Sequence, residues 1–147
     1  MNVYVYPTDW SWYGFLSTQP QLDEVNFWRP GGKQAFTRLT AGDLLLFRLR
    51  SPASAIAGGG FFVHFSFAPL IKAWEAFGVK NGTPDYESFL RLIASYKELG
   101  EHPERAADST IGCVILAAPF FLPRAQWHPV PGDYPINNPQ GHRYDAA

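Results

Sequence analysis

Apolar and polar positions alternate with different periods along the chain, and each change of period predicts a different element. Residues 2–6, NVYVY, alternate in polarity and stop at Pro7, which is typical of a short strand. A short helix is predicted to follow, with Thr8 or Asp9 as its N-cap and its end near Thr18. The next segment, residues 24–32, EVNFWRPGG, is predicted to be a loop that presents aromatic and charged side chains.

The middle of the chain has the character of buried strands. A turn at residues 41–43 precedes an apolar run through Leu49, which predicts a second strand. Gly58, Gly59 and Gly60 then lie inside another strand pattern that ends in FFVHFSF. Three glycines within a strand predict a bulge, a bend, or a backbone that another group approaches closely.

Two helices and a last strand are predicted in the second half. Helical spacing in LIKAWEAFG and DYESFLRLIASYKELG ends at Gly78 and Gly100, and TIGCVILAAPFFL has the composition of a strand. The last 20 residues carry several prolines without periodicity and are predicted to be an irregular tail. The order β-α-β-β-α-α-β predicts a single α+β domain over residues 1–147, with a curled, largely antiparallel sheet and helices on its outside.

Composition narrows the possible functions. The formal net charge of -1 excludes a uniformly basic nucleic-acid-binding domain, so binding to a polyanion would need a local basic patch. The single cysteine, Cys113, cannot form an internal disulfide, which favours a reducing cytoplasm. No signal peptide and no apolar run long enough for a membrane span is recognisable, so no membrane partner is expected.

Candidate catalytic chemistry is sparse. The four histidines do not share ligand spacing, and neither an HExxH motif nor a GxSxG motif occurs, so no metal and no cofactor is expected. An enzyme acting on a small nucleotide-like molecule would have to use Asp9 and His64 for acid-base work. For this chain the expectation is a binding module without catalytic residues.

Aromatic residues near the N-terminus form the strongest functional signal, in a chain that is 16% aromatic. Indole rings on loops can stack on a planar ligand, while neighbouring amide or carboxylate groups read its hydrogen-bonding edge. The predicted pocket residues are Asp9, Trp10, Trp12, Asn26 and Trp28. Predicted phosphate contacts are Arg29, Lys33, Arg38, Arg48 and Arg50.

Several blocks together carry a family resemblance: LDEVNFWRPGG, GDLLLFRLRSP, GGGFFVHFSFAP, AWEAFGVKNG, IGCVILAAPFFLP and PQGHRYD. Taken in order, they resemble the N-terminal domain of bacterial HNH-type, modification-dependent restriction endonucleases. The resemblance implies that an HNH nuclease domain follows residues 141–145 in the full-length protein. No HNH motif occurs in these 147 residues, so the nuclease is expected to be either removed or absent.

More broadly, the order of strand, helix, Trp segment and glycine-containing strand is similar to the PUA-like superfamily, which includes the EVE, YTH, ASCH and SRA domains. That resemblance implies a curled β-barrel with an aromatic pocket that receives a flipped, modified base from double-stranded DNA. It also implies that Thr8 belongs to the wall of this pocket. Methylated or hydroxymethylated cytosine and N6-methyladenine are the expected ligands. A reader of RNA or modified RNA, the small-molecule enzyme and a protein-interaction domain remain open alternatives.

Overall fold

The chain folds into an α+β structure built on one mixed sheet of seven strands, as a computed structural model of residues 1–50, 52–135 and 141–145 describes it. Three α-helices and three short 3₁₀ helices connect or cover the strands. The strands are β1 (Asn2–Thr8), β2 (Glu24–Asn26), β3 (Leu44–Leu49), β4 (Ala55–Pro69), β5 (Thr110–Phe121), β6 (His128–Pro129) and β7 (His142–Asp145). The helices are α1 (Trp10–Leu16), α2 (Leu70–Phe77) and α3 (Tyr86–Tyr96), and the 3₁₀ helices are Gly78–Asn81, Pro103–Ala106 and Arg124–Gln126.

The strand order is β2-β5-β4-β3-β1-β7, with β6 paired to β4 beside this path. β1 and β3 are parallel, whereas the other strand pairings of the described residues are antiparallel. In the described part of the chain the two ends of the sheet, β2 and β7, do not pair with each other, so the sheet is open there. The α+β class and the largely antiparallel pairing are therefore confirmed, while the closed barrel is not observed.

Side-chain caps and an apolar core fix the helices on the sheet. Asp9 caps α1 by accepting a hydrogen bond from the Trp12 backbone N–H at 2.9 Å, and Asp85 caps α3 by accepting from Ser88 at 2.7 Å. Phe47 of β3 is fully buried in the core. None of the helices in the described ranges is long and apolar enough to cross a bilayer.

The glycines of β4 mark the irregular part of the sheet, as predicted. The pairing register shifts between Phe47 and Arg48 on one side of them and between Gly59 and Phe61 on the other. A Cβ atom on Gly58 would lie 2.2 Å from the Phe120 carbonyl oxygen. Only glycine permits this close approach of two backbones.

Two segments predicted to lack regular structure contain strands. Glu24–Asn26 forms β2 and pairs with β5, although three residues are too few to show a strand period. His142–Asp145 of the predicted irregular tail pairs with β1 as β7, and His128–Pro129 pairs with β4. These strands form because they pair with segments that are distant in sequence. The prolines and glycines around them mask the strand pattern in the sequence. Residues 136–140 of the predicted tail lie outside the described residues.

Candidate ligand cavity

A cavity of about 750 Å³ opens where four parts of the fold meet. These parts are the end of β1, the start of α1, the segment after β2, and the end of α3 with Arg50 beside it. Its volume lies within the range of about 300–1,000 Å³ that is usual for small-ligand pockets. The lining residues are Tyr6, Pro7, Asp9, Trp12, Phe27, Trp28, Arg29, Pro30, Gly31, Gly32, Lys33, Gln34, Arg50, Tyr96 and Lys97.

Trp12 and Trp28, both predicted as pocket residues, line the cavity from fixed positions. Trp12 donates from Nε1 to the Asn26 carbonyl at 3.1 Å, and Trp28 donates from Nε1 to the Asn81 carbonyl at 2.7 Å. Both indole rings are largely buried, so only part of each reaches the cavity. Gly82 contacts the Trp12 ring directly, because a Cβ there would lie 2.1 Å from Trp12 Cδ1. The two rings are therefore rigid walls.

Asn26 has a different position from the one predicted. Its side chain is buried and donates from Nδ2 to Asn81 Oδ1 at 2.9 Å, while Asn81 donates onward to the carbonyls of Ala73 and Gly78. This network links β2 to α2 and to the following 3₁₀ helix. Asn26 does not line the cavity, so a direct contact with a base edge does not fit its position.

Thr8 and Trp10 also lie away from the cavity lining. Thr8 is buried and donates from Oγ1 to the Tyr6 carbonyl at 3.0 Å, because the last residue of β1 points into the protein. Trp10 is exposed on the first turn of α1 and packs on Trp127, with ring centroids 6.2 Å apart. The helix turns Trp10 away from Trp12, since residues two apart do not share a face.

Asp9 is the one carboxylate among the described residues that line the cavity. Its Oδ1 accepts from the Trp12 backbone N–H and from Ser11 Oγ, and its Oδ2 accepts from the Tyr96 hydroxyl. Burial acts to raise the pKa of Asp9, but the hydrogen bonds from Ser11, Tyr96 and Trp12 outweigh it and lower the pKa below its ordinary value. The group is therefore an ionised, acceptor-only side chain at neutral pH.

Tyr96 is the cavity residue that sequence analysis missed most clearly. Its side chain is 47% exposed, and its ring lies 5.8 Å from that of Trp28 in an edge-to-face arrangement. Burial of its hydroxyl, together with the hydrogen bond to Asp9, raises the pKa of Tyr96 to about 12. Tyr96 continues the helical spacing of Phe89 and Ile93, so the pattern alone predicts packing and not a site.

Tyr6 and Phe27 complete the aromatic lining. Their rings meet edge to face at 5.4 Å, and Phe27 lies 5.1 Å from Trp12 in the same type of contact. Tyr6 is half-buried at the end of β1. The alternation of NVYVY indicated that its side chain lies on one face of the strand but not that this face ends in a cavity.

Four cations line the cavity, of which three were predicted as phosphate contacts: Arg29, Lys33, Arg50 and the additional Lys97. Arg29 lies over Tyr6 and Phe36, with its guanidinium 5.9 and 5.7 Å from the two ring centroids. Lys33 and Arg50 are exposed. Lys97 donates from Nζ to the Thr110 carbonyl at 3.1 Å, and burial lowers its pKa.

The other two predicted phosphate contacts are not part of this lining. Arg38 is exposed on the loop before β3, outside the cavity. Arg48 is only 5% exposed, and its guanidinium lies over the Tyr134 ring at 4.9 Å. A phosphate in solution cannot reach a guanidinium covered in this way, so Arg48 does not fit the predicted contact.

Charge around the cavity differs in sign from the charge of the whole chain. The chain as a whole has a formal charge of -1, whereas the cavity combines four cations with one carboxylate among the residues that the structure describes. A cavity with cationic edges attracts anionic ligands. The arrangement is suited to a ligand with a flat ring and at least one phosphate.

His64 and Cys113 lie outside the cavity lining. His64 is exposed on β4 and does not line the cavity, so Asp9 has no histidine partner among the lining residues. Cys113 is buried in β5, and burial raises the pKa of its thiol. A thiol in this state is a poor nucleophile.

Comparisons with known proteins assign no family. No protein-family model, no curated protein and no solved structure matches the chain. The geometry and charge of the cavity are therefore the basis for a function.

Proposed function

We propose that this chain is a DNA-binding specificity module that recognises a modified base by flipping it into the cavity. The observation that carries the proposal is the combination of aromatic walls and cationic edges in one cavity of about 750 Å³. A flipped base supplies the planar ring, and the phosphates on either side of it supply the negative charge. Methylated or hydroxymethylated cytosine and N6-methyladenine are the proposed ligands.

The energies involved are compatible with this mechanism. Taking a base out of a duplex costs a few kcal/mol. Stacking on aromatic side chains returns about 1–3 kcal/mol per base. Charged hydrogen bonds from exposed Lys33 and Arg50 to phosphates add to this return. Because Trp12 and Trp28 are already fixed by hydrogen bonds, little side-chain entropy is lost when the base enters.

The proposal extends to the family and to the partner domain. In this proposal the chain is a PUA-like domain whose sheet stays open, and the largely antiparallel sheet with its helices supports this part of the proposal. In this proposal the module serves a modification-dependent HNH restriction endonuclease in the cytoplasm. The nuclease domain supplies both catalysis and additional affinity for DNA, which a chain of net charge -1 needs.

The test is fluorescence-polarisation binding to four short duplexes that differ at one central position: unmodified, 5-methylcytosine, 5-hydroxymethylcytosine and N6-methyladenine. We expect a preference of about tenfold or more for one modified duplex, equivalent to 1.4 kcal/mol. Tyr96→Ala should abolish the preference, since this half-exposed ring contributes to the cavity without being part of the core. It is a milder variant than Trp28→Ala, because the hydrogen bond from Tyr96 to Asp9 is exposed whereas the one from Trp28 to Asn81 is buried.

A pair of cation variants supplies the matched control. Arg50→Ala removes a cation that lines the cavity, whereas Arg38→Ala removes an exposed cation that does not. Arg50→Ala should weaken binding and Arg38→Ala should leave it unchanged. Equal binding to all four duplexes would overturn the proposal for DNA, and stronger competition by single-stranded RNA would favour the RNA reader instead.

A further inference from the structure

The second half of β4 has a backbone edge that no strand covers. β4 pairs with β3 only as far as Phe61, and Phe62 adds two hydrogen bonds, to Asp43 and from Gly42. Beyond this point, residues 64–69 pair with β5 alone in the part of the chain that the structure describes. One row of backbone N–H and C=O groups along this stretch therefore has no strand opposite it.

The same stretch carries no carboxylate, ammonium or guanidinium group and is rich in phenylalanine. Residues 51–71 contain no Asp, Glu, Lys or Arg, although 17% of the whole chain is charged. Phe61, Val63 and Phe67 are exposed, and Phe67 has 43% of its surface in solvent. The outer strands β2 and β7 have only three and four residues. Short edge strands are a usual way to prevent unwanted pairing with another chain. The β4 edge has neither short length nor charge to protect it.

We propose that the free edge of β4 is a homodimer interface, at which residues 64–68 pair antiparallel with the same residues of a second copy. This proposal does not depend on the proposed function. The segment can pair with itself, because two identical antiparallel strands are related by a twofold axis. Such a pair buries the same surface on both copies and leaves no edge for a third copy. A charged peptide would find no opposite charge among the Asp, Glu, Lys and Arg side chains, because this edge carries none. The same segment of a second copy also carries none, so the two segments do not repel each other through such charges.

Side-chain geometry supports a pairing centred on Ser66. In that register Phe65 of one copy lies opposite Phe67 of the other, and both pairs are on the same face of the extended sheet. Phe65 and Phe67 already contact each other edge to face at 4.9 Å within one copy. Pairing would join them into a cluster of four rings and would remove Phe67 from solvent.

The test is sedimentation velocity over a series of protein concentrations, with the wild type and two variants. Phe67→Lys places a charge in the centre of the proposed interface, and Val79→Lys is the control, because Val79 is similarly exposed at 39% but lies on the 3₁₀ helix after α2. We expect the wild type and Val79→Lys to dimerise with the same dissociation constant. Phe67→Lys should weaken the dimer about tenfold or more, as loss of a central aromatic residue does.

Hydrogen exchange gives a second readout that needs no variant. Backbone amides of residues 64–68 that do not pair with β5 should become protected as the protein concentration rises, while those of β7 should not. A wild type that stays monomeric at every concentration would overturn the proposal. A dimer that Phe67→Lys leaves intact, or growth beyond a dimer, would also overturn it, since a twofold edge pairing closes at two copies.

Discussion

Asp9 connects the cavity to the fold, because the carboxylate that lines the cavity also caps α1 and accepts from Tyr96 of α3. Its lowered pKa means that the ionised form stabilises the folded state. That contribution is complete at pH values above the unfolded pKa of 3.8 and is lost as the pH falls through the lower folded pKa. The stability of the cavity is therefore expected to depend on pH below about 4.

Asp9→Asn keeps the shape of the side chain and one oxygen acceptor but removes the charge. We expect it to lower the free energy of unfolding by about 1 kcal/mol at pH 7, because a neutral amide oxygen accepts weaker hydrogen bonds from Ser11 and Tyr96 than a carboxylate does. The difference from wild type should shrink as the pH falls below about 4, where the wild-type carboxylate becomes protonated too. Urea denaturation over a pH series measures this, and a difference that stays constant with pH would contradict the assignment of the lowered pKa to Asp9.

The predicted pocket and the observed cavity differ at Trp10. It was predicted as a pocket residue, yet it lies outside the cavity lining against Trp127. In the duplex-binding titration we expect Trp10→Ala to change the affinity less than twofold, while Tyr96→Ala lowers it about tenfold or more. A loss in Trp10→Ala as large as that in Tyr96→Ala would show that the ligand extends beyond the cavity.

The site could be predicted from sequence only where its residues are close along the chain. Asp9, Trp12, Trp28 and the cations of the segment after β2 were found because aromatic and charged residues cluster there. Tyr96 was missed because it is 87 positions from Asp9 in sequence, and only the packing of α3 beside Trp28 brings the two residues together. Burial explains why some predicted pocket residues do not line the cavity. Asn26, for example, is buried in the core, and no spacing rule distinguishes it from an Asn on the surface.

At the scale of elements, the glycines of β4 give a direct test of sheet geometry. Gly58→Ala would place a Cβ 2.2 Å from the Phe120 carbonyl oxygen, and the backbone of β5 would have to move. We expect a loss of about 1–3 kcal/mol in the free energy of unfolding, as overpacking of a core usually costs. Urea denaturation monitored by tryptophan fluorescence measures it.

Gly14→Ala is the matched control for this prediction. Gly14 lies inside α1, and an added Cβ there meets no atom within 4 Å. Alanine in an exposed helical position should stabilise the protein by about 0.5–1 kcal/mol, because it restricts the unfolded chain without a clash. Equal effects of Gly58→Ala and Gly14→Ala would mean that the β4 and β5 backbones are not in close contact.

Elements with their own period were predictable, and those that depend on a distant partner were not. The alternation of β1, the Asp9 cap of α1 and the amphipathic pattern of α3 are local signals, and the structure confirms all three elements. β2 and β7 carry too few residues for any period and exist because β5 and β1 offer them free edges. Whether the sheet closes into a barrel also could not be predicted, because closure depends on the stagger between strands and not on the pattern within one strand.

Across the molecule, a slightly negative formal charge is combined with a local cationic site at the cavity. The chain carries 12 basic and 13 acidic residues, and its exposed carboxylates repel a polyanion. Four cations nevertheless converge on the cavity. The proposed reader should therefore bind DNA through few phosphates, and discrimination between bases should not depend on salt.

The salt dependence of the observed association constant tests this distribution. Each phosphate contact contributes about -0.9 to the slope of log affinity against log salt, so four cations limit the slope to about -4. Arg50→Ala should reduce the magnitude of the slope by about 1, and Arg38→Ala should not change it, because only Arg50 lines the cavity. The affinity ratio between modified and unmodified duplexes should stay the same at every salt concentration, since stacking releases no counterions. A slope much steeper than -4, or an equal reduction in both variants, would mean that DNA lies across a wider surface than the cavity.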